Sequence, residues 1–110
     1  MSDYSEKQLD EVWAKAKIVN EDSKNELRKD YAGAWIKRSQ YGNHNSSYGW
    51  DVDHARPLAK DGADNIDNWV PLHWENNIKK SDNYPDFQTE VTSEGDKNIY
   101  KTQKWNYKQN

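Results

Sequence analysis

The pattern of apolar positions near the start of the chain predicts one amphipathic helix over residues 5–19. Apolar residues recur at spacings of three and four along a single face, at Leu9, Val12, Trp13, Ala16 and Val19. Ser5 and Gln8 are three residues apart, as in a capping box, so we expect the helix to begin at Ser5. A stripe of this kind docks a helix on a core, and we assign the helix no chemistry.

The middle of the chain changes to a strand-like pattern. Trp50 and Val52 alternate with Asp51 and Asp53, which predicts a strand over residues 48–54. A loop is expected over residues 59–68, a short strand over 69–72 and a short helix over 74–80. A further strand is expected within residues 31–41. Residues 20–30 are expected to form a loop or a short second helix around Leu27.

The C-terminal part, residues 87–107, predicts a β-hairpin with its turn within residues 93–98. Together these elements predict an α+β fold in one domain over residues 1–110. Its core would be a hairpin followed by a helix, at about residues 48–83. The N-terminal helix and the C-terminal hairpin would support that core.

Composition changes this outline in two ways. Only 33% of the residues are hydrophobic, but six Trp and seven Tyr can each bury a large area, so we expect a thin, aromatic-rich core. The absence of cysteine excludes disulfides and thiolate zinc sites. No apolar run approaches the ~20 residues that span a bilayer, and Met1–Asp10 is unlike a secretory signal. We therefore expect a cytoplasmic protein without a membrane partner.

The net charge of −3 is concentrated in one block of the sequence. Residues 51–84 hold seven acids and four bases, whereas nucleic-acid binding usually needs a basic face. This distribution is typical of a carboxylate site for a cation and equally of an acidic loop. Charge alone leaves both interpretations open.

Four polar residues of the predicted hairpin-helix core suggest hydrolytic chemistry. Asp53 and His54 end the first strand, Asn68 ends the loop, and Asn77 lies about one turn into the helix. An imidazole titrates near neutral pH and can activate water. Asp53 and Asn77 offer hard oxygen ligands, which favour Mg²⁺ or Mn²⁺. Neighbouring residues in a regular strand point to opposite faces, so we expect the chain to bend before Pro57. The Asn68 amide can donate and accept, and we expect it to hold that bend.

Three spaced motifs resemble the HNH endonucleases, the ββα-metal group. The sequence reads D-V-D-H from Asp51, I-D-N up to Asn68 and N-I-K-K-S-D-N from Asn77. The pattern is similar to the subfamily with an N-x-x-K-S/G-D ending, including the nuclease domain inside RNA-guided DNA-cutting enzymes. The resemblance covers about a third of the chain, and it implies a ββα-metal core.

By this resemblance His54 would be the general base, and Asp53 and Asn77 would hold one divalent ion. Asn68 would support the loop, and Lys80 would approach the nucleic-acid backbone. Many relatives carry zinc-binding cysteine pairs around these motifs. This chain has none, so no structural zinc is expected.

The roles of three further residues stay open at this point. Arg56 would clamp phosphate or be an ordinary solvated base. His73 is four residues before Asn77, so it would be an accessory ligand, or it would cap or pack at the junction of strand and helix. Asn76 is expected to face solvent or to form local hydrogen bonds.

The sequence thus predicts a metal-dependent endonuclease acting on DNA in preference to RNA. One alternative is an HNH-fold module that binds nucleic acid or protein with weak or no turnover. Another is a nuclease subunit that takes its grip on DNA from a protein partner.

Overall fold

The computed structural model describes residues 4–107 and has an α+β architecture of two short helices and three antiparallel strand pairs. In this part of the chain, no helix combines the length and apolarity that crossing a membrane requires. Residues 1–3 and 108–110 lie outside the described part, so the domain bounds of 1–110 stay a prediction. The elements are α1 (Glu6–Trp13), β1 (Leu27–Lys29), β2 (Trp35–Lys37), β3 (Trp50–His54), β4 (Trp69–His73), α2 (Trp74–Lys80), β5 (Asp86–Glu94) and β6 (Lys97–Asn106).

Helix α1 begins where the capping box predicts, because Ser5 and Gln8 cap each other's backbone N–H groups. It ends at Trp13, and the prediction that it extends to residue 19 is wrong. The buried Arg28 guanidinium donates hydrogen bonds to the carbonyls of Trp13, Ala14 and Ala16. A helix end leaves such carbonyls without intrahelical partners. Arg28 therefore supplies hydrogen-bond donors to the backbone carbonyls where the chain leaves the helix.

Residues 20–30 also differ from the prediction. They contain a 3₁₀ turn at Glu21–Ser23 and then strand β1, which pairs antiparallel with the expected strand β2. Arg28 lies opposite Ile36 in this pair, and its role under α1 explains why a charged residue is buried here. Strand β1 was not predicted because the segment is mostly polar.

Strands β3 and β4 form an antiparallel hairpin, and α2 follows β4 directly. This is the predicted hairpin-helix core. Trp50 is fully buried, with Trp13 and Tyr41 against its ring at 5.5 and 5.1 Å between centroids. The rest of the core cluster is small and mainly aliphatic: Leu9, Val12, Ala16 and Ile36, with Trp69. Three of the seven residues of this cluster are tryptophans, so the core is thin and aromatic-rich, as the composition predicts.

Strands β5 and β6 form the predicted C-terminal hairpin, with an irregularity in the pairing between Thr89 and Val91. The Asn76 amide of α2 fills this irregularity. Its oxygen accepts from the backbone N–H groups of Glu90 and Val91, at 2.8 and 2.7 Å, and its nitrogen donates to the Val91 carbonyl. Asn76 is fully buried, so the expectation that it faces solvent or bonds locally is wrong.

Asp30 connects the first strand pair to the start of α2. It is 1% exposed, and its carboxylate accepts from the backbone N–H groups of Ala32, Ala34 and His73 and from the Asn76 amide. Burial raises the pKa of this carboxyl, while the hydrogen bonds oppose the rise. The start of α2 is thus fixed from both sides, by Asp30 and by β5.

Candidate functional site

The end of β3, the loop that follows it and the C-terminal half of α2 line an open cavity of about 260 Å³. Asp53 and His54 contribute from β3, and Asn77 contributes from α2. The strand pairing continues in register through His54, opposite Trp69, and the chain then bends at Ala55 and Arg56, before Pro57 as the sequence predicts. The remaining lining residues are Val52, Pro57, Leu58, Ala59, Ser81 and Asp82. The structure therefore brings the three predicted residues together around one space.

Asp53 is the buried carboxylate of this cavity, with 5% exposure. Its Oδ1 atom accepts a hydrogen bond from Lys80 Nζ at 3.2 Å. Its Oδ2 atom is buried and has no hydrogen-bond partner within residues 4–107. Burial raises the pKa of Asp53 to about 6, although Lys80 opposes the rise. A buried oxygen without a partner is costly, and a cation would satisfy it.

Asn77 lies across the cavity from β3, and its amide orientation is set by a carboxylate. Its Nδ2 atom donates to Asp51 Oδ2 at 3.4 Å, which leaves Oδ1 as the acceptor of the amide. Asp51 in turn lies 3.0 Å from His44 Nε2. This role of Asp51 was not predicted, although Asp51 and Asp53 share one face of β3 by their spacing of two.

The donor set fits a hard divalent ion. Asp53 Oδ2 and Asn77 Oδ1 are the carboxylate and amide oxygens that Mg²⁺ accepts, and Mg²⁺ keeps several waters in most protein sites. Within the described part of the chain, no group of three or more His, Asp or Glu side chains could hold a metal. Water and substrate oxygens would therefore supply most of the coordination shell.

His54 lines the same cavity with a side chain that is 18% exposed. Its Nε2 atom lies 2.8 Å from Asp64 Oδ1, and the same carboxylate oxygen accepts from Trp69 Nε1 at 3.2 Å. The two hydrogen bonds lower the pKa of Asp64, with His54 the larger cause. The sequence analysis missed Asp64, because a loop carboxylate has no periodicity that would connect it to a strand end.

Asn68 holds the loop next to the site. Its amide oxygen accepts from the Arg56 N–H at 2.9 Å. Its amide nitrogen donates to the carbonyls of Arg56 and Ala63, at 2.9 and 2.7 Å. These bonds connect the chain after β3 to the loop before β4, which is the loop-supporting arrangement that the sequence analysis expects of this residue.

Lys80 requires a correction. It is 1% exposed, and its ammonium donates to Asp53 Oδ1 and to the His54 carbonyl. A lysine held in this way cannot be a surface contact to a nucleic-acid backbone, and it instead balances the buried carboxylate. Arg56 is exposed, donates from Nε to the Lys60 carbonyl and lies 5.1 Å from the Tyr84 ring. Its phosphate contact stays a prediction.

His73 also requires a correction, because its two ring nitrogens have other partners. Nδ1 accepts from the Glu75 N–H at 3.1 Å, which caps α2, and Nε2 lies 2.8 Å from the Ser47 carbonyl. The residue is 1% exposed and does not line the cavity. The capping alternative therefore describes His73, and the accessory-ligand alternative does not.

Comparison with known proteins gives one match. The family model of the HNH endonucleases matches residues 40–83, a segment that contains β3, β4, α2 and every cavity-lining residue. No curated protein and no solved structure matches the chain. HNH proteins are nucleases or nucleic-acid-binding proteins at the family level. Residues 40–83 are therefore similar to the HNH endonuclease family, and the resemblance predicted from the motifs is confirmed over this segment.

Proposed function

We propose that this protein is a metal-dependent endonuclease that hydrolyses phosphodiester bonds in DNA. One observation carries the proposal: Asp53, His54 and Asn77 line a single cavity, and a buried oxygen of Asp53 has no partner in the described part of the chain. A general base and hard oxygen ligands around one space are what metal-assisted hydrolysis needs. The match of residues 40–83 to the HNH endonucleases supports the same reaction class.

In the proposed reaction, the His54 imidazole takes a proton from a water molecule in the cavity. The water oxygen forms a bond to phosphorus, the bond between phosphorus and the leaving oxygen breaks, and the leaving oxygen takes a proton from solvent. A divalent ion on Asp53 and Asn77 would stabilise negative charge on the phosphate and the leaving oxygen. Lys80 holds the other Asp53 oxygen at 3.2 Å, so the carboxylate keeps one orientation.

The ion we propose is Mg²⁺ or Mn²⁺. The available donors are carboxylate and amide oxygens, and the chain has no cysteine to favour a softer metal. DNA is proposed in preference to RNA because the motifs resemble those of the nuclease domain inside RNA-guided DNA-cutting enzymes. Arg56, which is exposed beside the loop, is the proposed phosphate contact.

The test is cleavage of supercoiled plasmid with Mg²⁺ or Mn²⁺, followed on agarose gels. We expect nicked or linear product, no product with EDTA, and a loss of at least about 100-fold in rate for His54→Ala, because a general base contributes ~10²–10⁴-fold. Mn²⁺ binding, measured by calorimetry without DNA, distinguishes the proposed general base from the proposed ion ligand. His54→Ala should still bind the ion, whereas Asp53→Asn should lose both binding and cleavage.

Two results would contradict the proposal. One is intact plasmid with folded wild-type protein at several metal and salt concentrations. The other is cleavage by His54→Ala at the wild-type rate, since the reaction would then use another base or a contaminant. Circular dichroism of each variant checks that the fold is kept.

A second candidate is a nuclease subunit whose DNA contacts come from a protein partner. The net charge of −3 and the burial of Lys80 favour it, because few phosphate contacts mean weak binding at physiological salt. The two candidates differ in low salt. The isolated protein should cleave plasmid below about 50 mM salt if it works alone, whereas a subunit would need its partner at every salt concentration.

A further inference from the structure

Within residues 4–107, Asp64 is the side chain that contacts a ring nitrogen of His54. The two atoms, His54 Nε2 and Asp64 Oδ1, are 2.8 Å apart. An ionised carboxylate can only accept hydrogen bonds, so the Nε2 atom carries the proton in this contact. A neutral imidazole has one donor and one acceptor nitrogen. The other nitrogen, Nδ1, is then the acceptor and the basic atom of the ring.

The carboxylate of Asp64 is held in place although 58% of its side chain is exposed. Trp69 Nε1 donates to the same Oδ1 atom at 3.2 Å. Trp69 is 8% exposed, lies opposite His54 in the β3–β4 ladder and meets the imidazole edge to face, 6.4 Å between centroids. The buried indole of Trp69 thus holds both the Asp64 oxygen, which accepts, and the His54 ring, which donates to it.

The loop that carries Asp64 is also attached to the rest of the fold. Asn68 Nδ2 donates to the carbonyl of Ala63, the residue before Asp64, at 2.7 Å. Lys15, just beyond α1, donates from Nζ to the carbonyl of Ile66 and, at 2.7 Å, to that of Trp69. An exposed acid on a loop would ordinarily move freely, but this loop is held on both sides of Asp64.

We propose that Asp64 is a positioning residue that keeps the proton on His54 Nε2 and directs the unprotonated Nδ1 to its work as general base. The proposal rests on the proposed endonuclease function. In other enzymes an acid behind a histidine holds the imidazole tautomer and orientation in the same way without taking up the proton itself. Asp64 touches neither substrate nor ion here and acts through His54.

The test compares Asp64→Ala with Asp67→Ala, which removes an exposed acid from the same loop. Plasmid cleavage, Mn²⁺ binding and thermal unfolding are measured for each variant. We expect Asp64→Ala to lower the cleavage rate by about 10–100-fold, a typical cost of losing an orienting partner. Mn²⁺ affinity should change less than about 2-fold, and Asp67→Ala should cleave like the wild type.

Nitrogen-15 NMR of the histidine side chains gives a readout that a purely structural role would not change. At pH 9 an ordinary imidazole is neutral. The wild type should show a single Nε2–H tautomer for His54, with an Nε2 proton protected from exchange. Asp64→Ala should show averaged nitrogen shifts and no such proton. Asp64→Asn, whose amide oxygen can also accept, should recover part of both the signal and the rate.

The outcomes separate this proposal from the proposed function. If the wild type cleaves and Asp64→Ala cleaves equally well, or shows an unchanged His54 spectrum, the positioning role is wrong. Equal losses of rate, Mn²⁺ binding and melting temperature would assign Asp64 a structural role and overturn it as well. If the wild type does not cleave, the endonuclease proposal fails, and an unchanged spectrum in Asp64→Ala would then refute the tautomer role.

Discussion

Replacement by alanine should have different effects at two neighbouring asparagines of α2. It should lower the stability of the fold at Asn76 and weaken ion binding at Asn77. Asn76 is fully buried and makes four hydrogen bonds with Asp30, Glu90 and Val91. Asn77 is half-buried, lines the cavity and makes one long contact of 3.4 Å with Asp51. Replacement of either by alanine changes helix propensity equally, so the difference between the variants isolates their contacts.

The magnitude follows from the contacts at the β5 irregularity. Each hydrogen bond contributes ~1 kcal/mol net, and the backbone groups that Asn76→Ala leaves unpaired are buried. Four bonds predict a loss of about 4 kcal/mol, which the better helix propensity of alanine reduces by ~0.6 kcal/mol. Asn77→Ala should lower the free energy of unfolding by less than about 1 kcal/mol. At ~4–8 °C per kcal/mol for a domain near this size, the two melting temperatures should differ by at least about 10 °C.

Urea unfolding followed by tryptophan fluorescence measures both free energies, and Mn²⁺ calorimetry supplies the second comparison. Asn77→Ala should weaken ion binding while it keeps the wild-type stability. Failure of Asn76→Ala to fold, with Asn77→Ala folded, is the extreme form of the expected result. Free energies of unfolding within 1 kcal/mol of each other would refute the reasoning, since the buried amide would then contribute no more than the half-buried one.

Three more results are expected. The pKa of Asp53 is raised from 3.8 to about 6, so the fold favours its protonated form, and the stability that this group contributes is full below about pH 4 and is lost as the pH rises through about 6. Because the ion binds the ionised carboxylate, the Mn²⁺ affinity of His54→Ala should fall about 10-fold between pH 7 and pH 5, whereas an aspartate with a pKa of 3.8 would lose only ~6% of its affinity. Calorimetry at both pH values distinguishes the two cases. Lys80→Met leaves the buried Asp53 charge unpaired and should lower the free energy of unfolding by ~3 kcal/mol at pH 7.5. The loss should be much smaller at pH 5, where Asp53 is protonated. Equal losses at both pH values in urea titrations would exclude the unpaired Asp53 charge as the cause. Arg28→Ala removes four hydrogen bonds to backbone carbonyls and should lower the free energy of unfolding by about 3 kcal/mol. A melting temperature within 3 °C of the wild type would contradict that.

The parts of the fold that the sequence predicts are those with a strong local signal. Alternation at Trp50–Asp53 predicts β3, and the change of pattern at Trp74 predicts α2, whose observed bounds agree with the prediction. Helix α1 ends early because Arg28, far along the chain, takes its last carbonyls. Periodicity cannot report a contact of that kind.

The residues of the candidate site also fall into those that the sequence predicts and those that it does not. Motif spacing places Asp53, His54 and Asn77 correctly around one cavity, but it says nothing of burial. Lys80 therefore looked like a surface contact, although its ammonium is enclosed by Asp53 and the His54 carbonyl. Asp64 left no signal, because its link to His54 depends on how the loop folds back on Trp69.

The attachment of the site loop to Lys15, just after α1, has a consequence for where the chain can be truncated. The segment that matches the HNH endonucleases, residues 40–83, excludes Lys15, which donates to two carbonyls of the loop and β4, and Asp30, which holds the start of α2. A transplant of this segment into another scaffold would carry the side chains of the proposed site without the supports that hold their backbone. Any minimal version of this protein should therefore retain α1 and the β1–β2 pair.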